Sequence, residues 1–294
     1  MKSAQTGTAA PMAALRAPLL AAGVLQWPPT QSVLRRRAAA VVRATGSGSG
    51  SEPTPPSPPQ SDGTSVLSSA GLFLLWAALA GYAFLIAPNQ TPVRDMYFLE
   101  KLVGLGVDDG VAINSIVQHL FLIMGVWPLV YTALLIPSGK SDNGVPAWPF
   151  ITLSYGVGAF GLLPFMALWQ PPREPPVVPA PAKALQGPGN LMQKGMESPF
   201  VGFLCLGGAV WCLAQAALAG AAQWDAYLKL LEESRFINVM TLDFLTLSAL
   251  APFWMSNDAT LRRWEGRDSL LPLLSVLPVL GPCIYLCLRP RAKL

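Results

Sequence analysis

The sequence predicts an all-α fold, a polytopic transmembrane helical bundle of about six spans behind a disordered N-terminal leader, and three observations predict it. Hydrophobic residues make up 52% of the chain and charged residues only 12%, against roughly 25% charged in an ordinary soluble domain. The apolar residues gather into blocks near the ~20 residues that a helix rising ~1.5 Å per residue needs to cross hydrocarbon. These blocks are continuous rather than alternating, so they read as helices, whose backbone hydrogen bonds close within the segment, and not as barrel strands.

Residues 1–44 contain Lys2, Arg16, Arg35, Arg36, Arg37 and Arg43 and no acid. An Ala-rich, Arg-bearing, acid-free leader is expected to be an organelle transit peptide, for a plastid ahead of a mitochondrion or the secretory route, with "VVRA" at 41–44 as the processing point. Residues 45–65, "TGSGSGSEPTPPSPPQSDGTS", cannot form a core and read as a disordered tether. Basicity belongs to this leader, because the rest of the chain has more acids than bases. A nucleic-acid partner is therefore not expected.

The membrane domain, 66–288, holds the six apolar blocks: 66–87, 111–136, 146–169, 200–222, 236–255 and 269–288. Between the first two, Met96, Phe98, Leu99, Leu102 and Val103 share one face of an expected interfacial helix. The stretch between the third and fourth is so rich in Pro and Gly that it reads as a solvent loop or a partner-docking segment. Gly208, Cys212, Ala216 and Gly220 recur at intervals of four, and Gly156, Gly158 and Gly161 cluster in the third block. Small residues let helix backbones approach in lipid, so these two spans are expected inside the bundle. Residues 289–294 form a basic tail. With six spans the loop cations divide six against eight, and orientation stays open.

Few residues can carry chemistry. Asp243 lies within the fifth block, where an ionised carboxylate costs from about 2.5 kcal/mol upward and needs a partner, a wet cavity or a proton. It is either a polar staple or the charge of a substrate, ion or pigment site. His119, the single histidine, excludes bis-histidine haem ligation and the usual diiron set within one chain. It is a helix-to-helix hydrogen-bonding group, a proton partner for Asp243, or the axial ligand of one chlorophyll. Asp258 in "SNDATLRRWEGRD" caps or ends a helix, with Arg262, Arg263 and Arg267 just beyond. With Arg289, these arginines could instead form an anionic headgroup or diphosphate site. The four cysteines, Cys205, Cys212, Cys283 and Cys287, fall in apolar blocks without CxxC spacing and read as small core residues rather than a redox pair. No Walker loop, dinucleotide fingerprint or HExxH is present, and no metal site is expected.

"VPAWPFITLSYGVGAFGLLPFMALWQP", "LDFLTLSALAPFWMSNDATLRRW" and "LPLLSVLPVLGPCIYLCLRP" together resemble an uncharacterised plastid and cyanobacterial multi-pass membrane protein family. The last two segments are also similar to the neoxanthin-synthesis membrane proteins of the abscisic-acid-deficient type. The resemblance implies a chloroplast membrane, thylakoid or inner envelope, with membrane lipid as surroundings and photosynthetic complex subunits as partners. It implies chlorophyll or a carotenoid as the cofactor class. The expected function is a non-catalytic assembly or stabilising factor for photosynthetic complexes or pigments. An intramembrane isoprenoid- or carotenoid-modifying enzyme using Asp243 and His119 is the alternative, and a small-solute or ion transporter the third.

Overall fold

The computed structural model describes residues 63–106, 108–171, 192 and 194–291, with side chains from Ser68 onward. The expected transit peptide, most of the tether and the Pro-rich stretch 172–191 lie outside the described residues. No strand occurs among the described residues.

Four helices are long and apolar enough to cross a bilayer. The first, α1 (Gly63–Gly81), begins inside the segment expected as tether and continues through a π-helical turn to Ile86. A short surface helix, α2 (Pro92–Leu102), leads to α3 (Ser115–Ser138). The remaining two are α6 (Pro199–Leu218) and α8 (Arg235–Leu261), separated by the second surface helix α7 (Ala221–Glu233). Side-chain caps set their starts: Asn114 accepts from the Ile116 and Val117 amides, Ser198 from Phe200, and Ser234 from Ile237. Each satisfies amides that the first helical turn leaves without partners. The sequence predicts α2 but assigns no helix to the α7 stretch. Tyr227, Leu230 and Leu231 of α7 join Ile116, Val117, Ile237 and Met240 in a small core beneath it.

The third and sixth expected spans do not form single long helices. Residues 148–168 form two ten-residue helices, α4 (Trp148–Val157) and α5 (Ala159–Leu168), broken at Gly158. The pair folds back on itself, since a Cβ on Gly161 would meet the Ser154 nitrogen at 2.9 Å, a contact a straight helix could not make. Both ends of the pair reach one face of the bundle. There the Asp142 amide donates to Gln170 O (3.0 Å), Asn143 Nδ2 to Leu168 O (2.8 Å) and Trp169 Nε1 to Lys140 O (3.2 Å). The last block behaves alike: α9 (Leu271–Ser275) and α10 (Leu280–Leu288) fold back, with Gly281 packed on Leu274. Its end returns to the α8 end, where Arg262 Nη1 donates to Pro290 O (2.9 Å).

The order is therefore long helix, surface helix, long helix and helical hairpin, occurring twice. Both hairpins open on the same face, called the hairpin face below; α2 and α7 lie on the opposite face. The first long helix of each unit packs on the second helix of its own hairpin, α1 on α5 and α6 on α10. Gly202 makes the second of these approaches close, because a Cβ there would lie 3.0 Å from the Cys287 nitrogen. The two units meet through α3, which packs on both α6 and α8. Trp169, Trp254, Phe253 and Phe165 form a continuous aromatic group between the first hairpin and α8.

Gly158 has φ +53° and ψ −127°, a conformation that side chains rarely adopt. A Cβ there would sit 1.8 Å from Asp243 Oδ2. Gly158→Ala is expected to lower stability by about 2–4 kcal/mol, combining backbone strain with overpacking. In thermal unfolding of the solubilised protein, part of that loss should disappear in an Asp243→Ala background, which removes the clash and leaves the strain.

Candidate functional site

Asp243 lies on α8 at the tip of the first hairpin and is only 7% exposed. The Ala159 amide donates to its Oδ1 at 2.6 Å. Ala159, fully buried, is the first residue of α5, so the carboxylate caps the start of a half-helix. The carboxyl group also faces the positive end of the α5 dipole. Glycine at 158 is what lets it come so near.

His119 sits one turn into α3 and is joined to other groups. Its Nδ1 lies 2.6 Å from the Ser115 carbonyl, which can only accept, so Nδ1 carries the proton. Its ring packs edge-on against Trp211 of α6 at 4.9 Å between centroids. No hydrogen bond joins His119 to Asp243, and the two are held by different helices: Asp243 by α5, His119 by its own turn and α6. The acid–base pair that an Asp243–His119 enzyme requires is not assembled. At 8% exposure the imidazole also offers little open surface to a chlorophyll macrocycle.

The densest polar group is at the hairpin face. Asp258, 1% exposed, accepts at Oδ2 from Tyr285 Oη (2.7 Å), Arg262 Nε (2.8 Å) and Arg289 Nη1 (3.0 Å). Arg262 also clasps Glu197 with both terminal nitrogens, at 2.8 and 2.5 Å. Arg289 donates to the carbonyls of Ala133 (2.9 Å) and Met196 (2.8 Å). Two carboxylates and two guanidiniums thus form a buried, charge-balanced set. Burial by itself discourages the charge on Arg262, but Glu197 and Asp258 more than reverse this and raise its pKa.

This arrangement corrects the expected headgroup site. Arg262 and Arg289 spend their donors on the protein, and Arg289 is a buried tie rather than part of a free basic tail. Arg263 is exposed, and Arg267 stands 3.8 Å from Asp268. The residue that sequence reasoning missed is Glu197, three residues before the predicted span at 200–222 and near the end of a stretch read as solvent loop or partner-docking segment. Tyr285 was likewise hidden among apolar neighbours. Cys205, Cys212 and Cys283 are buried as free thiols and Cys287 is half-buried. No metal-holding group of His, Cys, Asp or Glu occurs among the described residues.

Breaking a buried pair leaves an uncompensated charge, at a cost of about 3–5 kcal/mol. Asp258→Asn and Arg289→Gln are each expected to lose that much in thermal unfolding. The double substitution should lose clearly less than their sum, because each single change strands the other's partner. A scan against protein-family models and searches of curated proteins and of solved structures find no match, so the functional reading rests on this geometry and the sequence.

Proposed function

We propose that this chain is a multi-pass protein of a chloroplast membrane, thylakoid or inner envelope, acting as a non-catalytic assembly or stabilising factor for photosynthetic complexes or pigments. The observation that carries the reading is the use made of its intramembrane acid. Asp243 caps a half-helix, apart from His119, instead of standing beside a proton partner. Asp258 and its arginines tie helix ends together. The acids of the long apolar helices thus serve shape. Outward, α1 and α6 present Leu74, Phe84, Leu85, Phe200, Phe203 and Trp211, suited to lipid tails or to the apolar helices of another membrane protein. The chloroplast address is supported by the leader's composition and by the resemblance of the apolar segments, and by nothing in the fold.

Mild-detergent affinity purification from chloroplast membranes, read by mass spectrometry and pigment extraction, tests this reading. Photosystem or assembly subunits in stoichiometric amount are expected. A solitary protein carrying a carotenoid or isoprenoid would overturn it in favour of the intramembrane enzyme. Asp243→Asn gives a second check. At normal protein level the variant should leave pigment composition unchanged, whereas an enzyme using that carboxylate would lose its product.

A further inference from the structure

The hairpins change how charge is distributed across the molecule. With two folded-back pairs in place of two crossings, the hairpin face carries Lys140, Lys194, Arg262, Arg263, Arg267, Arg289 and Arg291 among the described residues. The opposite face carries only Arg94, Lys101, Lys229 and Arg235. The division that six spans left even is now unequal.

Pairing sharpens the difference. On the opposite face Arg94 is bound to Glu233, Lys101 to Asp109 and Arg235 to Asp95, which leaves Lys229 as the one cation without an ion pair among the described residues. Glu100, Asp108, Asp225 and Glu232 are exposed there without cationic partners. On the hairpin face, Lys140, Lys194, Arg263 and Arg291 are exposed and make no ion pair among the described residues; of the acids on this face Glu197 and Asp258 are buried against Arg262 and Arg289, Asp268 lies beside Arg267, and Asp142 and Glu265 are exposed. Among the described residues the hairpin face thus carries seven cations against five acids, and the opposite face four cations against seven acids.

We infer that the hairpin face is a docking surface for anionic lipid, with Lys140, Lys194, Arg263 and Arg291 engaging the phosphate- or sulfate-bearing headgroups of one leaflet. This rests on the multi-pass membrane reading above. Lys140 follows α3 and Arg263 follows α8, so each stands where the chain leaves a long helix to enter a hairpin. Lys194 precedes α6 and Arg291 follows α10, at the same level. Basic residues just outside a hydrocarbon core are attracted to an anionic leaflet, and loops rich in them stay on the side from which the chain inserts. The same surface therefore fixes orientation: hairpin mouths toward the inserting side, α2 and α7 across the membrane.

The test uses the full chain in lipid nanodiscs made of phosphatidylcholine alone or with a third phosphatidylglycerol. The thermal midpoint is expected to rise by about 4–8 °C with the anionic lipid, and high salt should shrink the rise. Replacing Lys140, Lys194, Arg263 and Arg291 by Gln together should abolish the rise, and Arg263→Gln alone should reduce it. Lys229→Gln on the opposite face should leave it intact. Equal midpoints in the two lipids would overturn the inference, as would an equal rise from inorganic phosphate added to neutral discs, which would mark a free-anion site. Impermeant-thiol labelling in sealed vesicles checks the topology separately. Cysteines placed at Asn143 and Pro171 should label from one side, and at Leu105 and Asp225 from the other. Labelling of 143 and 171 from opposite sides would remove the hairpin, and release of the chain by alkaline carbonate would remove the membrane reading itself.

Discussion

The closure of the bundle at one face depends on Asp258. A lone carboxylate buried to 1% exposure would cost several kcal/mol or take up a proton. Three donors on one of its oxygens, and a matching Glu197–Arg262 clasp, make the set neutral as a whole. The partners come from different parts of the chain. Arg262 ends α8, Glu197 precedes α6, Tyr285 and Arg289 belong to the second hairpin, and Arg289 reaches back to a carbonyl of α3. Such a set adds less net stability than apolar packing of the same volume, but it tolerates only one mutual placement of the four segments.

The hairpins set the harder problem. A half-helix ending inside an apolar region exposes amides that neither water nor a neighbouring turn satisfies, and each orphan costs several kcal/mol in hydrocarbon. The two tips solve it differently. At the first, the Asp243 carboxylate meets the Ala159 amide and a glycine makes room. At the second no side chain caps α10. The chain turns tightly instead, with Val279 at φ +53°, the Leu280 amide donating to Pro278 O and the Gly281 amide to Leu277 O. A β-branched residue in the left-handed region is strained, and full burial of Val279 is what holds it there.

Fold class was legible because continuous apolar blocks of sufficient length have few other uses; the number of crossings was not. A 21-residue apolar run does not say whether it continues through the bilayer or folds back, and the evidence for folding back lies in contacts between residues such as Gly161 and Ser154 or Gln170 and Asp142. The glycine cluster 156–161 marked close packing, and one of its members is the break itself. Asp243 and Asp258 stood out because charge in apolar sequence is costly wherever it falls. Their partners did not: a backbone amide has no sequence signature, and Glu197 and Arg289 look like ordinary loop and tail charges until the ends of α6 and α10 are brought beside α8. The repeated order of elements was equally hidden, since the two units share sites for helices without sharing side chains.

That last difference explains why acids stand where they do on α8. Carboxyl groups serve the tip of the first hairpin and the mouth of the second, and both come from this one helix. The mouth of the first hairpin is closed by neutral groups, Ser141, Asn143 and Gln170. The same helix accepts a hydrogen bond from Tyr131 at the Leu247 carbonyl, receives Tyr82 at Asn238, and is clamped to α2 by Arg235 and Asp95. A shift of α8 by one turn, about 5.4 Å, would break the tip cap, the mouth network and the α2 clamp at once. The two hairpins therefore cannot move independently of each other. On the proposed assembly or stabilising role this coupling would hold partners in register, and a rocking of one half against the other, as in an alternating-access carrier, would have to break these bonds.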